Sequence, residues 1–280
     1  MQTVSCNLCG ADNAAFLFEG RDILYHTTDK AFCVVRCQKC GLVYLNPQPE
    51  AREIPTFYPD TYRPHRERVD AGMFQYKSPA NPDKRILDVG CGSGDLLQLI
   101  TQREKNTAVF GVDIDARAVE AVRRKGFPIV HGSLHDAHYP NAYFDEVYMM
   151  NVLEHAQDPA TLLYEVARVL KQSGVLTIEV PNFHSISRMI FRNTWYCLDA
   201  PRHLYHFTPA TLSAMLQRAG FSRNAVISIA SPKYFLQSFS FWYWGGRHSY
   251  PRIVWYLFTP CARLAAFVGV SSTMRAVARR

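Results

Sequence analysis

The feature that most constrains the fold is a glycine-rich turn between an apolar strand and an apolar helix. Residues 86–97 read I-L-D-V-G-C-G-S-G-D-L-L, with glycine at every second position of the turn. Glycine lets a backbone pass close to a bound ligand, so the turn indicates a nucleotide pocket. A dinucleotide turn would read G-x-G-x-x-G. Here the spacing is G-x-G-x-G, and Asp88 and Asp95 flank it. These carboxylates disfavour a pyrophosphate and favour a ligand that carries a cation.

The segments after this turn alternate between apolar strands and amphipathic helices. Further strands are predicted over 108–113, 128–132, 144–151, 176–182, 221–231 and 272–279. Helices are predicted after the capping residues Asp115, Asp158 and Thr208, and Gly126, Gly174 and Gly220 are predicted to end them. Such alternation requires a mostly parallel sheet with helices on both faces.

Ligands of such sheets bind at the carboxyl ends of the strands. Asp113 ends the second predicted strand, where its carboxylate can accept both hydroxyls of a ribose as hydrogen bonds. Gly90, Ser133 and Asn151 follow the first, third and fourth strands. The sequence therefore predicts one nucleoside site at this edge of the sheet.

Three motifs together resemble class I S-adenosylmethionine (SAM)-dependent methyltransferases: D-x-G-x-G-x-G from Asp88, V-L-E-H at 152–155 and P-R-H-L-Y-H-F-T-P at 201–209. The resemblance implies a Rossmann-like α/β fold whose seven-stranded, mostly parallel sheet ends in an antiparallel strand. It implies SAM as the cofactor, with Ser133 beside the adenine amine and Leu134 over the ring. The cofactor-binding residues expected on this basis are Asp88, Gly90, Gly92, Gly94, Asp113, Ile114, Ser133, Leu134 and Asn151.

Histidines are the candidate bases for methyl transfer, because an imidazole accepts a proton near neutral pH. His155 follows the fourth strand, and His203 and His206 lie where members of the family close over substrate. The alternative for each is a hydrogen-bonded structural histidine. Glu154 and His155 also suggest a divalent-cation site, although two ligands are too few to define one.

Two C-x-x-C-G knuckles open the chain, with Cys6 and Cys9 in the first and Cys37 and Cys40 in the second. Two such pairs predict a structural Zn²⁺ in a zinc ribbon, with strands over 32–36 and 42–45. The alternative is four buried cysteines. A role in bracing the catalytic domain is favoured over a role in binding a partner.

These features divide the 280-residue chain into three parts. Residues 1–45 form the zinc ribbon, 46–83 a linker with substrate-entry helices, and 84–280 the methyltransferase domain. The linker carries Tyr58 and Tyr62, which by resemblance touch cofactor or substrate or else pack between ribbon and core. It also carries a basic run at 65–68.

Charge is distributed unevenly along the chain. Residues 200–280 hold ten Lys and Arg and no Asp or Glu, and an insertion at 233–270 holds twelve aromatic residues. Aromatic rings with cations favour peripheral contact with a membrane. Two alternatives remain: a lid or homodimer surface, and a nucleic-acid surface. The nucleic-acid surface is the least favoured, because phosphate binding does not need so many clustered aromatic rings. With no secretory signal and no apolar run of about 18 residues, we expect a cytoplasmic protein.

The function expected from these features is SAM-dependent methylation, most simply O-methylation, of a small-molecule, glycan or lipid-linked acceptor. Absence of N/D-P-P-Y/F after the fourth strand argues against methylation of amino groups on adenine or glutamine. Two alternatives remain open: an RNA methyltransferase with a zinc ribbon, and a catalytically inactive SAM-binding or scaffold protein.

Overall fold

A computed structural model describes residues 1–62, 77–80, 82–246 and 249–280. Its strands are β1 (Ala14–Arg21), β2 (Ala31–Cys37), β3 (Val43–Leu45), β4 (Lys84–Val89), β5 (Thr107–Asp113), β6 (Ile129–His131), β7 (Phe144–Met150), β8 (Leu170–Pro181), β9 (Tyr205–His206), β10 (Arg223–Ile229) and β11 (Thr273–Arg279). Its helices are α1 (Asp95–Arg103), α2 (Ala116–Arg124), α3 (Pro159–Val169), α4 (Ile186–Phe191), α5 (Pro209–Arg218), α6 (Lys233–Trp244) and α7 (Arg252–Phe267).

The larger sheet has seven strands in the order β10-β11-β8-β7-β4-β5-β6. Strands β6, β5, β4, β7 and β8 are parallel, and β11 runs antiparallel between β8 and β10. The predicted Rossmann-like architecture is therefore confirmed. Because β4 lies between β5 and β7, the glycine-rich turn leaves the middle of the sheet at its carboxyl edge.

Helix starts follow the predicted caps. The side chains of Asp115 and Asp158 accept hydrogen bonds from backbone N–H groups in the first turns of α2 and α3. Thr208 forms a capping box with Thr211. The end of α3 was wrongly predicted at Gly174. The helix ends at Val169, because the backbone becomes extended at Leu170 and pairs there with Phe144 of β7.

A second, four-stranded sheet has the order β1-β2-β3-β9. Strands β2 and β3 correspond to the two predicted ribbon strands, whereas β1 was not predicted. Its last member, β9, follows the fifth strand of the large sheet and pairs with β3 through Val43–His206 and Tyr44–Tyr205. The N-terminal unit and the large sheet also share one hydrophobic core, in which Tyr44 and Leu176 belong to the same cluster of buried side chains.

A buried ion cluster joins the same two parts of the chain. Arg202 is 2% exposed. Its guanidinium donates from Nη2 to Asp22 Oδ1 at 2.5 Å and from Nε to Asp199 Oδ1 at 2.8 Å. It also donates to the Phe57 carbonyl at 3.0 Å. Burial by itself would raise the pKa of Asp22, but the hydrogen bonds and charge of Arg202 outweigh it and lower that pKa to about 2. The cluster therefore ties Asp22, between β1 and β2, to the loop before β9.

The predicted insertion at 233–270 contains α6 and α7, and α7 includes Pro260. In the described part of the linker, a 3-10 turn covers Ile54–Phe57, and the predicted entry helices at 63–76 lie outside the described residues. The basic run at 65–68 and Arg247 lie outside the described residues. Within the part of the chain that is described, no helix is both long and apolar enough to cross a bilayer.

The buried cluster predicts a large loss of stability on substitution of Arg202. Arg202→Met leaves Asp22 and Asp199 buried without their cation, so we expect the free energy of unfolding to fall by about 3–5 kcal/mol. The matched control is Arg117→Met, because Arg117 pairs with Asp115 with its side chain 49% exposed. That change should cost less than about 1 kcal/mol. Urea denaturation of both variants measures the difference, and equal losses would contradict it.

Candidate functional site

The glycine-rich turn has the backbone geometry that its sequence predicted. Gly90, Gly92 and Gly94 have φ angles of 70°, 50° and 75°, a region that favours glycine. A Cβ atom on Gly90 would lie 2.5 Å from Cγ2 of Val152. Val152 begins the V-L-E-H stretch, so the two motifs are in close contact at the carboxyl edge of β4 and β7.

Asp113 links the turn to the end of β5. Its Oδ2 accepts the Gly92 N–H at 2.8 Å, and its Oδ1 accepts the Asp115 N–H at 2.8 Å. Each carboxylate oxygen has two acceptor positions, so among the described residues these two bonds leave one position on each oxygen for a ribose hydroxyl. This arrangement fits the nucleoside part of SAM.

Asp88 lies on β4 just before the turn and is 2% exposed. Burial, and then the charge of Asp113, raises the pKa of Asp88 to about 8. In the ligand-free protein at neutral pH this carboxyl is mostly protonated. A cation placed beside it would favour its ionised form, which fits a ligand that brings an ammonium and a sulfonium.

The remaining predicted cofactor residues occupy different environments. Asn151 has a φ of 56° at the end of β7, and its N–H donates to the Glu179 carbonyl at 2.7 Å. Ile114, after β5, is 71% exposed. The Ser133 hydroxyl donates to Asp136 Oδ2 at 2.6 Å. Leu134 is 1% exposed within the core, so its side chain does not present an open face to an adenine ring.

Exposure differs between the two side chains expected near the adenine ring: Ile114, after β5, is exposed, whereas Leu134, after β6, is buried in the core. The turn after β6 also has an acid, Asp136, which sequence analysis missed because it lies three residues after Ser133. The hydroxyl and backbone hydrogen bonds of Ser133 lower the pKa of Asp136. Direct contacts with the cofactor stay predictions for all these residues.

His155 and His203 come together beside Glu154. Their ring centroids are 4.6 Å apart, and one ligand atom from each of the three residues lies within 4.8 Å of the others. His203 Nδ1 is 2.9 Å from the Cys197 carbonyl, and His155 Nδ1 is 3.0 Å from the Arg202 carbonyl. A carbonyl oxygen only accepts, so both Nδ1 atoms carry the proton, and in the neutral rings both Nε2 atoms are basic.

Carboxylates surround the Nε2 atom of His203, with Asp199 Oδ2 at 3.8 Å and Glu154 Oε1 at 4.0 Å. Burial lowers the pKa of His203 to about 4 and that of His155 to about 3, so both rings are neutral at pH 7. Burial raises the pKa of Glu154 to about 8. Neither Glu154 oxygen has a hydrogen-bond partner among the described residues. At pH 7 Glu154 is therefore mostly protonated, and each neutral imidazole keeps an unprotonated Nε2 atom that can accept a proton.

The third candidate base is His206. It is 2% exposed, its ring is 5.6 Å from that of Phe183 between centroids, and neither ring nitrogen has a hydrogen-bond partner among the described residues. Burial lowers its pKa to about 3. The geometry therefore favours His155 and His203 over His206 as the base, a ranking that stays a prediction.

One of the two linker tyrosines, Tyr58, contacts the histidine cluster. The Tyr58 hydroxyl is 3.1 Å from His155 Nδ1. Tyr62 is 6% exposed and packs against Tyr58 and Tyr25, with ring centroids 4.8 Å and 5.4 Å away. Tyr58 is thus next to the candidate base, whereas Tyr62 packs between the N-terminal unit and the linker.

The four knuckle cysteines converge, with all four Sγ atoms within 4.8 Å of one another. The Cys6–Cys40 and Cys9–Cys37 Sγ distances are 3.4 Å and 3.5 Å. Four sulfurs at about 2.3 Å from a tetrahedral Zn²⁺ are roughly 3.8 Å apart, so the thiols fit that ion. The first knuckle also contacts the large domain, because Asn7 Oδ1 accepts the Ala160 N–H at 2.9 Å.

Comparison with known proteins agrees with this geometry. Residues 62–225 match the family described as a methyltransferase domain. The chain is 30% identical over 184 residues to a probable SAM-dependent methyltransferase of Mycolicibacterium smegmatis, covering 64% of this chain and 66% of the relative. It is 29% identical over 161 residues to a ubiquinone biosynthesis O-methyltransferase of Psychrobacter arcticus, covering 52% and 62%.

A solved SAM-dependent methyltransferase from Archaeoglobus fulgidus superposes with a TM-score of 0.51 at 22% identity, covering 70% of this chain and 86% of that one. This likeness supports the fold. The chain belongs to the methyltransferase domain family, within the class I architecture. It spans less than two thirds of the length of the two relatives named above.

Asp88 leads to a pH-dependent prediction. Its pKa is about 8 in the folded protein and about 3.9 when unfolded, so the native state holds the extra proton between these values and loses stability as pH rises. Asp88→Asn removes this loss. We expect the ligand-free variant to exceed the wild type in stability by a margin that widens by about 1.4 kcal/mol per pH unit up to pH about 8.

The same variant should bind SAM about 10-fold more weakly or worse, because the cationic ligand loses its carboxylate. Urea denaturation and calorimetric titration with SAM from pH 6 to 9 measure both effects, and comparison at equal pH cancels the titration of SAM itself. A stability margin that does not change with pH would contradict the raised pKa of Asp88.

Proposed function

We propose that this chain transfers the methyl group of SAM to an oxygen atom of a small-molecule, glycan or lipid-linked acceptor. The observation that carries the proposal is the position of the His155–His203 cluster, in which His155 follows β7, the strand beside the glycine-rich turn. Val152, in contact with Gly90, is three residues before His155. The likeness to an O-methyltransferase also favours an oxygen acceptor.

Bound SAM supplies an electrophilic methyl group, so the protein has to orient the acceptor and hold its proton. Asp113 orients the ribose, and Asp88 pairs with the cationic amino-acid part of the cofactor. The Nε2 atom of His155 or His203 accepts the proton of the acceptor hydroxyl. Asp199, 3.8 Å from His203 Nε2, stabilises the imidazolium that results.

His155 is half-buried and His203 is 7% exposed, so His155 is nearer to the open side of the cluster. We assign direct contact with the acceptor to His155, with His203 behind it. Tyr58 and the Arg202 carbonyl hold the His155 ring by its Nδ1 side. This leaves Nε2 of His155 for the acceptor.

We also propose that the four knuckle cysteines hold a structural Zn²⁺. Their convergence and the pairing of β3 with β9 support a bracing role for the N-terminal unit. Residues 1–45 then act as a zinc ribbon, 46–83 as a linker that brings Tyr58 to the site, and 84–280 as the catalytic domain. In this arrangement the metal stabilises the sheet that carries β9, directly after His203.

The acceptor class is tested with radiolabelled SAM. Purified protein is incubated separately with a membrane lipid extract, a small-metabolite extract and total RNA. The proposal expects label in the lipid or metabolite fraction. Label in RNA alone would overturn the acceptor assignment, and SAM binding without label in any fraction would support the inactive scaffold instead.

Loss of the base should affect turnover rather than cofactor binding. We expect His155→Gln to lower kcat by about 10²–10⁴-fold, because a positioned base contributes that much to proton transfer. SAM affinity should stay within about twofold of the wild-type value. His184→Gln is the matched control, since His184 is exposed after β8. Steady-state kinetics with the labelled fraction measure kcat, and equal rates in both variants would exclude His155 as the base.

Metal removal tests the bracing role. Chelation or Cys37→Ser should release one Zn²⁺ per chain and lower methyl transfer at least about 10-fold, because β3 no longer holds β9 beside His203. The matched control is Cys261→Ser, since Cys261 is exposed on α7. Mass spectrometry under native conditions counts the metal. An active protein that contains no zinc would contradict the proposal.

A further inference from the structure

Three neighbouring helices present an apolar surface to solvent. The α4/α6/α7 surface is defined here by Ile190, Trp242, Ile253, Leu257, Leu264 and Phe267, whose exposed fractions run from 53% to 88%. Ring contacts join the helices, with Phe191 of α4 5.1 Å from Phe235 of α6 and Phe235 5.9 Å from Phe258 of α7 between centroids. The surface is therefore one patch.

The exposed apolar side chains of α7 lie on one face of that helix. Ile253, Leu257, Leu264 and Phe267 are separated by 4, 7 and 3 positions, which places them on one face of the helix. Each is at least 63% exposed, and α7 has no fully buried residue. An exposed apolar face of this extent marks an interaction site.

Charge identifies the kind of partner. Arg252 and Arg263 lie along one edge of the apolar face of α7, Lys233 begins α6, and Arg192 follows α4; all four are exposed. No acid occurs anywhere in residues 200–280. A second copy of the chain would therefore bring like charges together here without carboxylates from these helices to pair with them.

We propose that the α4/α6/α7 surface docks on an anionic lipid bilayer, with α7 lying in the plane of the interface. Its aliphatic and aromatic side chains enter the boundary between headgroups and acyl chains, and the arginines contact anionic headgroups. A nucleic acid would bind the cations but leave Ile253, Leu257 and Leu264 in water, so its chemistry fits less well.

The buried side of α6, the helix that carries Trp242 of this surface, contacts the candidate active site. Helix α6 packs on the 3-10 turn Tyr196–Leu198, where the Tyr196 N–H donates to Ser238 Oγ at 3.0 Å. The next carbonyl in this turn, that of Cys197, accepts from His203 Nδ1. This step rests on the proposed function: docking presents the histidine cluster to an acceptor held in the membrane.

Vesicle sedimentation tests the docking. The wild-type protein should bind phosphatidylcholine vesicles that contain phosphatidylglycerol and bind pure phosphatidylcholine weakly. Leu257→Glu with Phe267→Glu should lower the partition coefficient at least about 10-fold, and Arg252→Glu with Arg263→Glu about fivefold per residue. Phe16→Glu is the matched control, since Phe16 is 61% exposed on β1, and it should leave binding unchanged.

Several results would overturn the inference: no vesicle binding, equal binding to neutral vesicles, or equal effects of Phe16→Glu and the α7 variants. A dimer in sedimentation equilibrium that Leu257→Glu dissociates, without vesicle binding, would assign the surface to a second copy. SAM titration of the same proteins separates the two proposals. Intact SAM binding and turnover with no docking refute only the surface, whereas absent SAM binding refutes the proposed function.

Discussion

The buried guanidinium of Arg202 is the contact on which the rest of the structure depends. It pairs with Asp22 from the N-terminal unit and Asp199 from the loop before β9, and it also bonds the Phe57 carbonyl of the linker. A charge with this little exposure is tolerated only when its hydrogen bonds are made, so all three segments have to assemble together. The Arg202 carbonyl then accepts from His155 Nδ1, which connects the ion cluster to the candidate base.

This arrangement explains why a small cysteine unit is joined to a methyltransferase domain. The first knuckle contacts α3 through Asn7, and β3 pairs with β9. The loop that carries the candidate base His203 is thus held at both ends: by Arg202 before His203 and by the second sheet after it. Helix α6 packs against the turn whose Cys197 carbonyl accepts a hydrogen bond from His203. This turn therefore connects the candidate base to α6, which carries part of the α4/α6/α7 surface.

Much of the large sheet could be predicted because its signals are local. The periodicity of apolar residues, the helix-capping residues and the glycine spacing located β4, β5, β7 and β11. The fold class is confirmed. The end of α3 was wrong because pairing of Leu170 with β7 overrides the helical pattern. Strand β1 was missed, since its burial has no simple alternation.

The candidate site depends more on contacts between distant segments. The convergence of four cysteines was readable from their spacing. The Arg202–Asp22 pair joins residues 180 positions apart, and the approach of His203 to Glu154 depends on a loop whose path no local pattern specifies. Leu134 shows the same limit, because the sequence places it at the correct turn but only packing shows that it faces the core.

The N-terminal unit holds the loop at 199–207 through the pair of Asp22 and Arg202. Hydrogen exchange of Asp22→Asn, followed by mass spectrometry, tests it most directly. The account predicts faster exchange for the amides of residues 199–207, with those of β4 unchanged. Unchanged exchange in residues 199–207, or an equal acceleration in β4, would contradict it.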